Sequence, residues 1–218
     1  NTGGITASGS ANISINSSAG RIRSNAADDD AAEIITAGGT ITLEANTGIA
    51  DSSGSDGFEI DSSGGNITLI SDGTGTVFVD SVVAAGDSLT LVFTATAATG
   101  AVTYESASTG TLTLNAVSTA GNNVTISHAG NITATSVTTT TGSQTISTTG
   151  GTVALVDLNS TSGAIDITAS GNITVTNTGG ITASGSANIS INSSAGRIRS
   201  NAADDDAAEI ITAGGTIT

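Results

Sequence analysis

Residues 38–43 read GGTITL, and residues 64–69 read GGNITL. In both segments a Gly pair precedes a short run whose apolar residues lie two positions apart, which is the pattern of a turn followed by a half-buried β-strand. Related segments begin, at similar intervals, at Ser88, Thr111, Asn131, Thr152, Asn172 and Arg197. This recurrence predicts a strand that returns once per coil, about every 22 residues.

A second alternating segment follows each of these strands after about half a coil, as in Val77-Phe-Val, Val124-Thr-Ile and Ile165-Asp-Ile. Short strands separated by Gly-containing turns at a fixed period are typical of a β-solenoid. We therefore predict an all-β parallel β-helix of about ten coils of about 22 residues. The general handedness of parallel crossovers favours a right-handed helix.

The second and fourth residues of each recurring segment are apolar, and strand alternation directs both into the coil. Equivalent residues would stack about 4.8 Å apart along the axis. Each buried Val, Leu or Ile contributes roughly 1.5–3 kcal/mol, so that several per coil can offset the ordering of the chain. The predicted core ladder consists of Ile41, Leu43, Ile67, Leu69, Leu89, Leu91, Leu112, Leu114, Ile132, Val153, Leu155, Ile173 and Val175.

Residues 1–42 recur without a single change at residues 177–218. This offset predicts a 176-residue tandem unit of eight coils, in which Arg21-Ile-Arg-Ser is the earlier copy of the eighth coil and Thr216 begins the next unit. We interpret residues 1–218 as a single continuous solenoid segment and as a fragment of a longer repeat array. Ten coils would form a rod about 48 Å long, and one unit would span about 38 Å.

Composition excludes several classes of protein. The net charge is −15, and the only basic residues besides one His are four Arg, so a nucleic-acid-binding surface is excluded and docking on an anionic membrane is disfavoured. No apolar run approaches the length of roughly 20 residues that a membrane-spanning helix needs, which excludes membrane insertion through a helix. Cys is absent, so there is neither a disulfide nor a thiolate metal site. Alternating Ile, Val and Leu throughout the chain argue against disorder.

The motifs GG-[NT]-ITL and G-NIT-V, repeated in an acidic, Cys-free chain rich in Ser, Thr, Gly and Asn, resemble the haemagglutinin-like large exoproteins of bacteria. These are the filamentous-haemagglutinin and autotransporter-passenger type of repeat protein. The resemblance implies a right-handed parallel β-helix that is exported unfolded and displayed outside the cell. It therefore implies an extracellular or cell-surface location and a role as an adhesin or surface fibre.

An acidic run is the one candidate cofactor site. Carboxylate oxygens are the ligands that Ca²⁺ prefers, and both copies of the run fall in the longest predicted loop: Asp28, Asp29, Asp30, Asp204, Asp205 and Asp206. Neither the EF-hand loop nor the calcium-binding nonapeptide is present. Two interpretations stay open, a bound calcium ion and a solvated acidic bulge, and no other cofactor is expected.

Other polar patterns have structural explanations beside the functional ones. Nine Asn-x-Ser/Thr sequons occur, and Asn66, Asn131 and Asn172 hold one coil position, where an Asn stack accounts for them as well as glycosylation does. Outward Thr residues resemble the grid of an ice-binding solenoid, but Thr is also a good exposed strand residue. His128 and Tyr104 are isolated, and no paired carboxylates or nucleophile–base arrangement stands out.

We predict a structural or adhesive segment, not an enzyme, that forms a rigid extracellular stalk or filament by coil stacking. Its expected partners are neighbouring repeats of the same chain stacked end to end, because an exposed coil end is an unpaired sheet edge. Lateral self-association into a fibre is a second expectation. The alternative is a module that binds a glycan or host-surface protein. A polysaccharide-active enzyme and an ice-binding solenoid are less favoured.

Overall fold

The computed structural model is an all-β solenoid in which parallel strands stack coil upon coil, as the sequence predicts. It describes residues 4–24, 32–50, 57–63, 65–71, 76–81, 88–95, 101–107, 109–201 and 208–218. Residues 88–95 and 177–178 are described by their backbone alone. No helix occurs within these ranges, so the predicted fold class is confirmed.

Twenty-two strands occur in the described ranges. In chain order they are Ile5–Ala7 (β1), Ile13–Ser17 (β2), Ile22–Arg23 (β3), Ile34–Thr36 (β4), Ile41–Ala45 (β5), Ile49–Ala50 (β6), Phe58–Asp61 (β7), Asn66–Ser71 (β8), Val77–Ser81 (β9), Ser88–Ala95 (β10), Val102–Ser106 (β11), Thr111–Thr119 (β12), Val124–His128 (β13), Asn131–Ala134 (β14), Val137–Thr139 (β15), Gln144–Thr148 (β16), Val153–Ser160 (β17), Ile165–Ala169 (β18), Ile173–Ala183 (β19), Ile189–Ser193 (β20), Ile198–Ser200 (β21) and Ile210–Thr212 (β22).

The strands of the described ranges form two sheets of eleven strands each. Sheet 1 runs β1-β4-β7-β9-β11-β13-β16-β18-β20, with β3 and β6 beside it. Sheet 2 runs β2-β5-β8-β10-β12-β14-β17-β19-β21, with β15 and β22 beside it. Every pair of named strands is parallel. The chain crosses from one sheet to the other within each coil and closes the core between them.

Apolar ladders fill this core. Ile41 pairs with Ile67, and Leu114 pairs with Ala134, each across one coil. For Leu89 and Leu91 the structure describes backbone pairing alone. The other members of the predicted ladder are at most 2% exposed, and they are Ile41, Leu43, Ile67, Leu69, Leu112, Leu114, Ile132, Val153, Leu155, Ile173 and Val175.

The register between β8 and β10 is shifted by two positions from the predicted columns. The sequence alignment placed Leu89 above Ile67, whereas the structure pairs Leu91 with Ile67 and Val92 with Thr68. A shift of two leaves every side chain on the same face of the strand, so both registers bury the same apolar residues. Periodicity in the sequence therefore could not distinguish them.

The number of coils is smaller than the predicted ten. Within the described residues, the main path of each sheet passes through nine strands. The prediction treated Arg21-Ile-Arg-Ser as the coil below Thr40-Ile-Thr-Leu. In the structure Ile22 pairs with Ile49 in sheet 1, whereas Ile41 pairs with Ile13 in sheet 2.

Loop length explains this error. The coil that leads from Ile22 to Ile49 and the coil that leads from Ile13 to Ile41 both include the acidic segment. Each is therefore longer than the predicted average of about 22 residues. The segment from Ile22 to Ile41 is thus less than one coil, although its two ends look alike in sequence.

Gly residues at the coil corners permit the close stacking. A Cβ atom on Gly151 would overlap the carbonyl group of Gly130, and one on Gly130 would overlap the carbonyl oxygen of Gly110. The Thr148 hydroxyl accepts a hydrogen bond from the Gly151 N–H at 3.1 Å and donates one to the Gly130 carbonyl oxygen. This contact is the physical reason why Gly precedes the recurring strand.

Candidate functional site

The two identical copies differ in burial, because neighbouring coils cover one member of each pair of equivalent residues and not the other. Ile5 and its copy Ile181 have the same sequence around them, yet only Ile181 has a coil on both sides. The exposed fractions of three such pairs are 49% for Ile5 against 0% for Ile181, 49% for Ile198 against 7% for Ile22, and 49% for Ile217 against 0% for Ile41. Each residue is buried where a neighbouring coil covers it and exposed where none does.

The two copies make the same bonds to the coil above them. The Ile5 N–H donates to the Glu33 carbonyl oxygen at 2.7 Å, and the copy of this bond, from Ile181 to Glu209, is also 2.7 Å. The Ile13 N–H donates to the carbonyl oxygen of Thr40 at 2.9 Å, again with an equal bond in the second copy. The repeated sequence therefore specifies its own stacking register.

A hollow lies at the upper end, lined by Val175, Ile198, Ser200, Glu209 and Ile210, among others. Three of these residues have copies in the first unit that are covered by the next coil. There Ile22, Ser24 and Ile34 are at most 7% exposed. The hollow is therefore lined by residues whose first-copy equivalents are buried.

The residues that flank the acidic run in the sequence are joined by a hydrogen bond in both copies. The Ser24 hydroxyl donates to Glu33 Oε1 at 2.7 Å, and the Ser200 hydroxyl donates to Glu209 Oε1 at 2.9 Å. Glu33 Oε2 also accepts the backbone N–H of Glu59, one coil higher, at 3.0 Å. We call the Ser24–Glu33 pair and its copy Ser200–Glu209 the loop neck.

The calcium candidates lie outside the described residues: Asp28, Asp29, Asp30, Asp204, Asp205 and Asp206. In the part of the chain that is described, no group of three or more His, Asp or Glu side chains is placed to hold a metal ion. The calcium site stays a prediction. Sequence reasoning did not find the loop neck, and the signal available was the Ser and Glu that flank the acidic run in both copies.

Asn side chains at strand starts extend the sheet ladder. Asn131 Oδ1 accepts the Thr152 N–H at 3.0 Å, and Asn172 Oδ1 accepts the Arg197 N–H at 2.9 Å, each from the next coil. The same contact is made by Asn12, Asn123 and Asn188. All five are sequon residues, so the Asn-x-Ser/Thr pattern has a structural explanation here: Asn begins the strand, the apolar residue points inward and the hydroxyl residue points outward.

Some inward positions of sheet 1 are polar. Tyr104 is fully buried, and His128 is 3% exposed. Burial raises the pKa of the Tyr104 hydroxyl. Burial also lowers the pKa of His128, although its Nε2 lies 3.0 Å from the Gly110 carbonyl oxygen.

These groups lie inside the coil, between the two sheets. The Tyr104 hydroxyl, His128 Nδ1 and Gln144 Oε1 are buried and have no hydrogen-bond partner. Gln144 Nε2 nevertheless donates to the Asn159 carbonyl oxygen at 2.7 Å and so ties the two sheets together. The sequence treated Tyr104 and His128 as isolated, but their period-two positions in β11 and β13 place both inside the coil.

The outward Thr positions do not form an unbroken grid. Thr113 pairs with Thr133, but the next residue in that column is Ala154. Lower in the same sheet, Thr68 pairs with Val92. An ice-binding face needs a regular hydroxyl spacing over many coils, which these registers interrupt.

Comparison with models of protein families, with curated proteins and with solved structures gives no match for this chain. Among the described residues there is no helix that is long and apolar enough to cross a membrane. The contacts between stacked coils, the loop neck and the outward strand faces are therefore the features on which a function can be based.

Proposed function

We propose that the chain is a structural segment of a long extracellular repeat protein, in which stacked coils form a rigid stalk or filament. Support comes from the solenoid of parallel strands and from the tandem 176-residue unit. The resemblance of its GG-[NT]-ITL motifs to filamentous-haemagglutinin-like and autotransporter-passenger-like exoproteins supports display at the cell surface. The net charge of −15 favours a surface that repels unrelated acidic partners.

One observation carries the proposal: the same residue is exposed at an end and buried in the interior. Ile217 is 49% exposed, whereas its copy Ile41 is fully buried because β8 covers it. Covering an Ile in this way is worth roughly 1.5–3 kcal/mol. The interior copy is covered by a coil of the same chain, and this supports end-to-end stacking of units.

We further propose that the segment is not an enzyme. Among the described residues, the polar groups His128 and Tyr104 are buried inside the coil. A tandem repeat would also install any active site once per unit, which suits a scaffold better than a catalyst. No cofactor is proposed, and a calcium ion at the acidic run is kept as a prediction.

Chains with additional 176-residue units test the proposal. Small-angle scattering should show a rod whose length grows by about 36 Å per unit, since the structure advances about seven and a half coils of about 4.8 Å. A radius of gyration that grows as in an unfolded chain or a collapsed globule would contradict it. Release of sugars from a polysaccharide panel would contradict the non-enzymatic assignment.

The alternative is a ligand-binding adhesin module, for a glycan or a host protein. The loop neck favours it, because Ser24–Glu33 and its copy fix the base of a loop at each unit. A glycan-binding screen with the intact chain distinguishes the two proposals. Binding that is lost when the segment between Ser24 and Glu33 is shortened would favour the adhesin.

A further inference from the structure

Each strand of the first copy and its equivalent in the second copy belong to opposite sheets of the solenoid. In the first copy β1, β3 and β4 belong to sheet 1, whereas β2 and β5 belong to sheet 2. In the second copy every assignment is reversed. The equivalents of β1, β3 and β4 are the end of β19, β21 and β22, all in sheet 2, and the equivalent of β2 is β20 in sheet 1.

Following one ladder from coil to coil gives the reason. Starting at Ile13, eight successive pairings in sheet 2 lead through Ile41 and Leu114 to Ser200. The copy of Ile13 is Ile189, so the eighth pairing overshoots the copy by about half a coil. The seventh pairing reaches only Val175, which falls short of Ile189 by a similar length of chain.

A ladder of sheet 1 shows the same offset. Eight pairings that start at Ile5 lead to Ser193, which again lies about half a coil beyond the copy, Ile181. Both ladders therefore place the copy about midway between the seventh and the eighth coil. The tandem unit makes about seven and a half turns, not the eight that the sequence spacing suggests.

The two copies of the loop neck show the same half-turn offset. Ser24 and Glu33 lie between β3 and β4, two strands of sheet 1. Ser200 and Glu209 lie at the facing ends of β21 and β22, two strands of sheet 2. The Ser24–Glu33 pair and its copy Ser200–Glu209 therefore lie on opposite sheets of the solenoid.

We infer that a tandem array of this unit is two-sided, with the loop neck on alternate faces. The sequence repeats with every unit, but the same face returns only with every second unit. The extension to an array rests on the proposed function, whereas the half-turn offset is present within this chain. A unit of eight whole turns would instead align every neck on one face.

This alternation decides how such a rod can interact with its neighbours. A rod with all its necks on one face can engage a surface or a partner from one side only. A rod with necks on both faces can be bridged on two opposite sides by further copies of itself or by a ligand of the neck. Flat lateral arrays need that second arrangement.

Engineered disulfides test the half-turn offset, because it depends on which strand lies below β5. In the structure this strand is β2, and in a unit of eight whole turns it would be β3. The chain contains no Cys, and the structure pairs the outward residues Ser14 and Thr42. An eight-turn unit would instead place Arg23 below Thr42. Neighbouring residues of paired strands lie within the Cα separation that a disulfide spans.

The experiment compares Ser14→Cys/Thr42→Cys with Arg23→Cys/Thr42→Cys in the intact chain under mild oxidant at low concentration. The half-turn offset predicts an intramolecular disulfide in the first variant and free thiols in the second. Asn16→Cys/Glu44→Cys tests the same register at another outward pair. If the side-chain geometry at Ser14 prevents a disulfide there, this second pair can still form one. Circular dichroism of the reduced variants checks that each one is folded.

Closure of the Arg23 variant would overturn the inference, and so would failure of both the Ser14 and the Asn16 variants to close. These results are separable from the proposed function. If the Arg23 variant closes and rods still lengthen with unit number, the array stands without alternation. If the Ser14 variant closes and no rod forms, the offset stands without the array.

Discussion

At the scale of single residues, burial in this solenoid is decided by the neighbouring coils. Ile22 and Ile198 are copies with the same flanking sequence, yet one is 7% exposed and the other 49%. An isolated coil therefore has almost no core of its own. Its apolar residues contribute to stability only when the coils below and above are in place, as nearest-neighbour models of repeat proteins assume.

Leu114→Ala tests the inward ladder. Leu114 is fully buried and is paired with the small residue Ala134 in the next coil. We expect the free energy of unfolding to fall by about 2–5 kcal/mol, measured by urea denaturation. The matched control is Thr113→Ala at the neighbouring outward position, with an expected loss within about 1 kcal/mol. Equal losses in both variants would contradict the assigned faces.

His128 predicts a dependence of stability on pH. Its pKa is lowered in the folded state by burial, so the unfolded chain takes up the proton first. Stability is therefore fully present above the ordinary His pKa of about 6.5 and is lost as the pH falls below it. We expect thermal unfolding midpoints to fall between about pH 7 and pH 5.5 in the parent. In His128→Gln, which cannot titrate, this part of the decrease should disappear, and a curve that stays parallel to the parent would rule the explanation out.

At the scale of the strands and turns, the Gly corners set how closely two coils approach. A Cβ atom at Gly151 would overlap three backbone atoms of the coil below, whereas one at Gly121 would meet only the Thr141 hydroxyl at 3.3 Å. We expect Gly151→Ala to lower stability by about 1–3 kcal/mol through this overlap. Gly121→Ala should be neutral or stabilising by up to about 1 kcal/mol. Calorimetry on both variants checks this, and a neutral Gly151→Ala would mean that the corners are looser than described.

Sequence periodicity predicted the strands and their buried faces but not their partners. Ile67 is inward whether it pairs with Leu89 or with Leu91, so only the three-dimensional stacking distinguishes the two registers. Arg21-Ile-Arg-Ser resembles a coil start, but the long loop beside it moves it to the other sheet. The polar interior at Tyr104 and His128 follows from strand alternation once the register is known. The loop neck needs a contact across the acidic segment that no periodicity encodes.

At the scale of the whole molecule, the proposed array is a rod in which each unit supports the next. The repeated segment makes the same upward bonds in both copies, so each unit carries the register for the next one. In the proposed array, about seven and a half turns per unit would place the loop neck on alternate faces. Such a rod would supply reach and stiffness, which is the function we propose.

Cryo-electron microscopy of native material that contains this chain would show the proposed array directly. We predict rods with a layer spacing of about 4.8 Å and protrusions about every 36 Å that alternate between two opposite sides. A single row of protrusions would contradict the half-turn offset. Compact isolated particles without an axial repeat would contradict the stacked array itself.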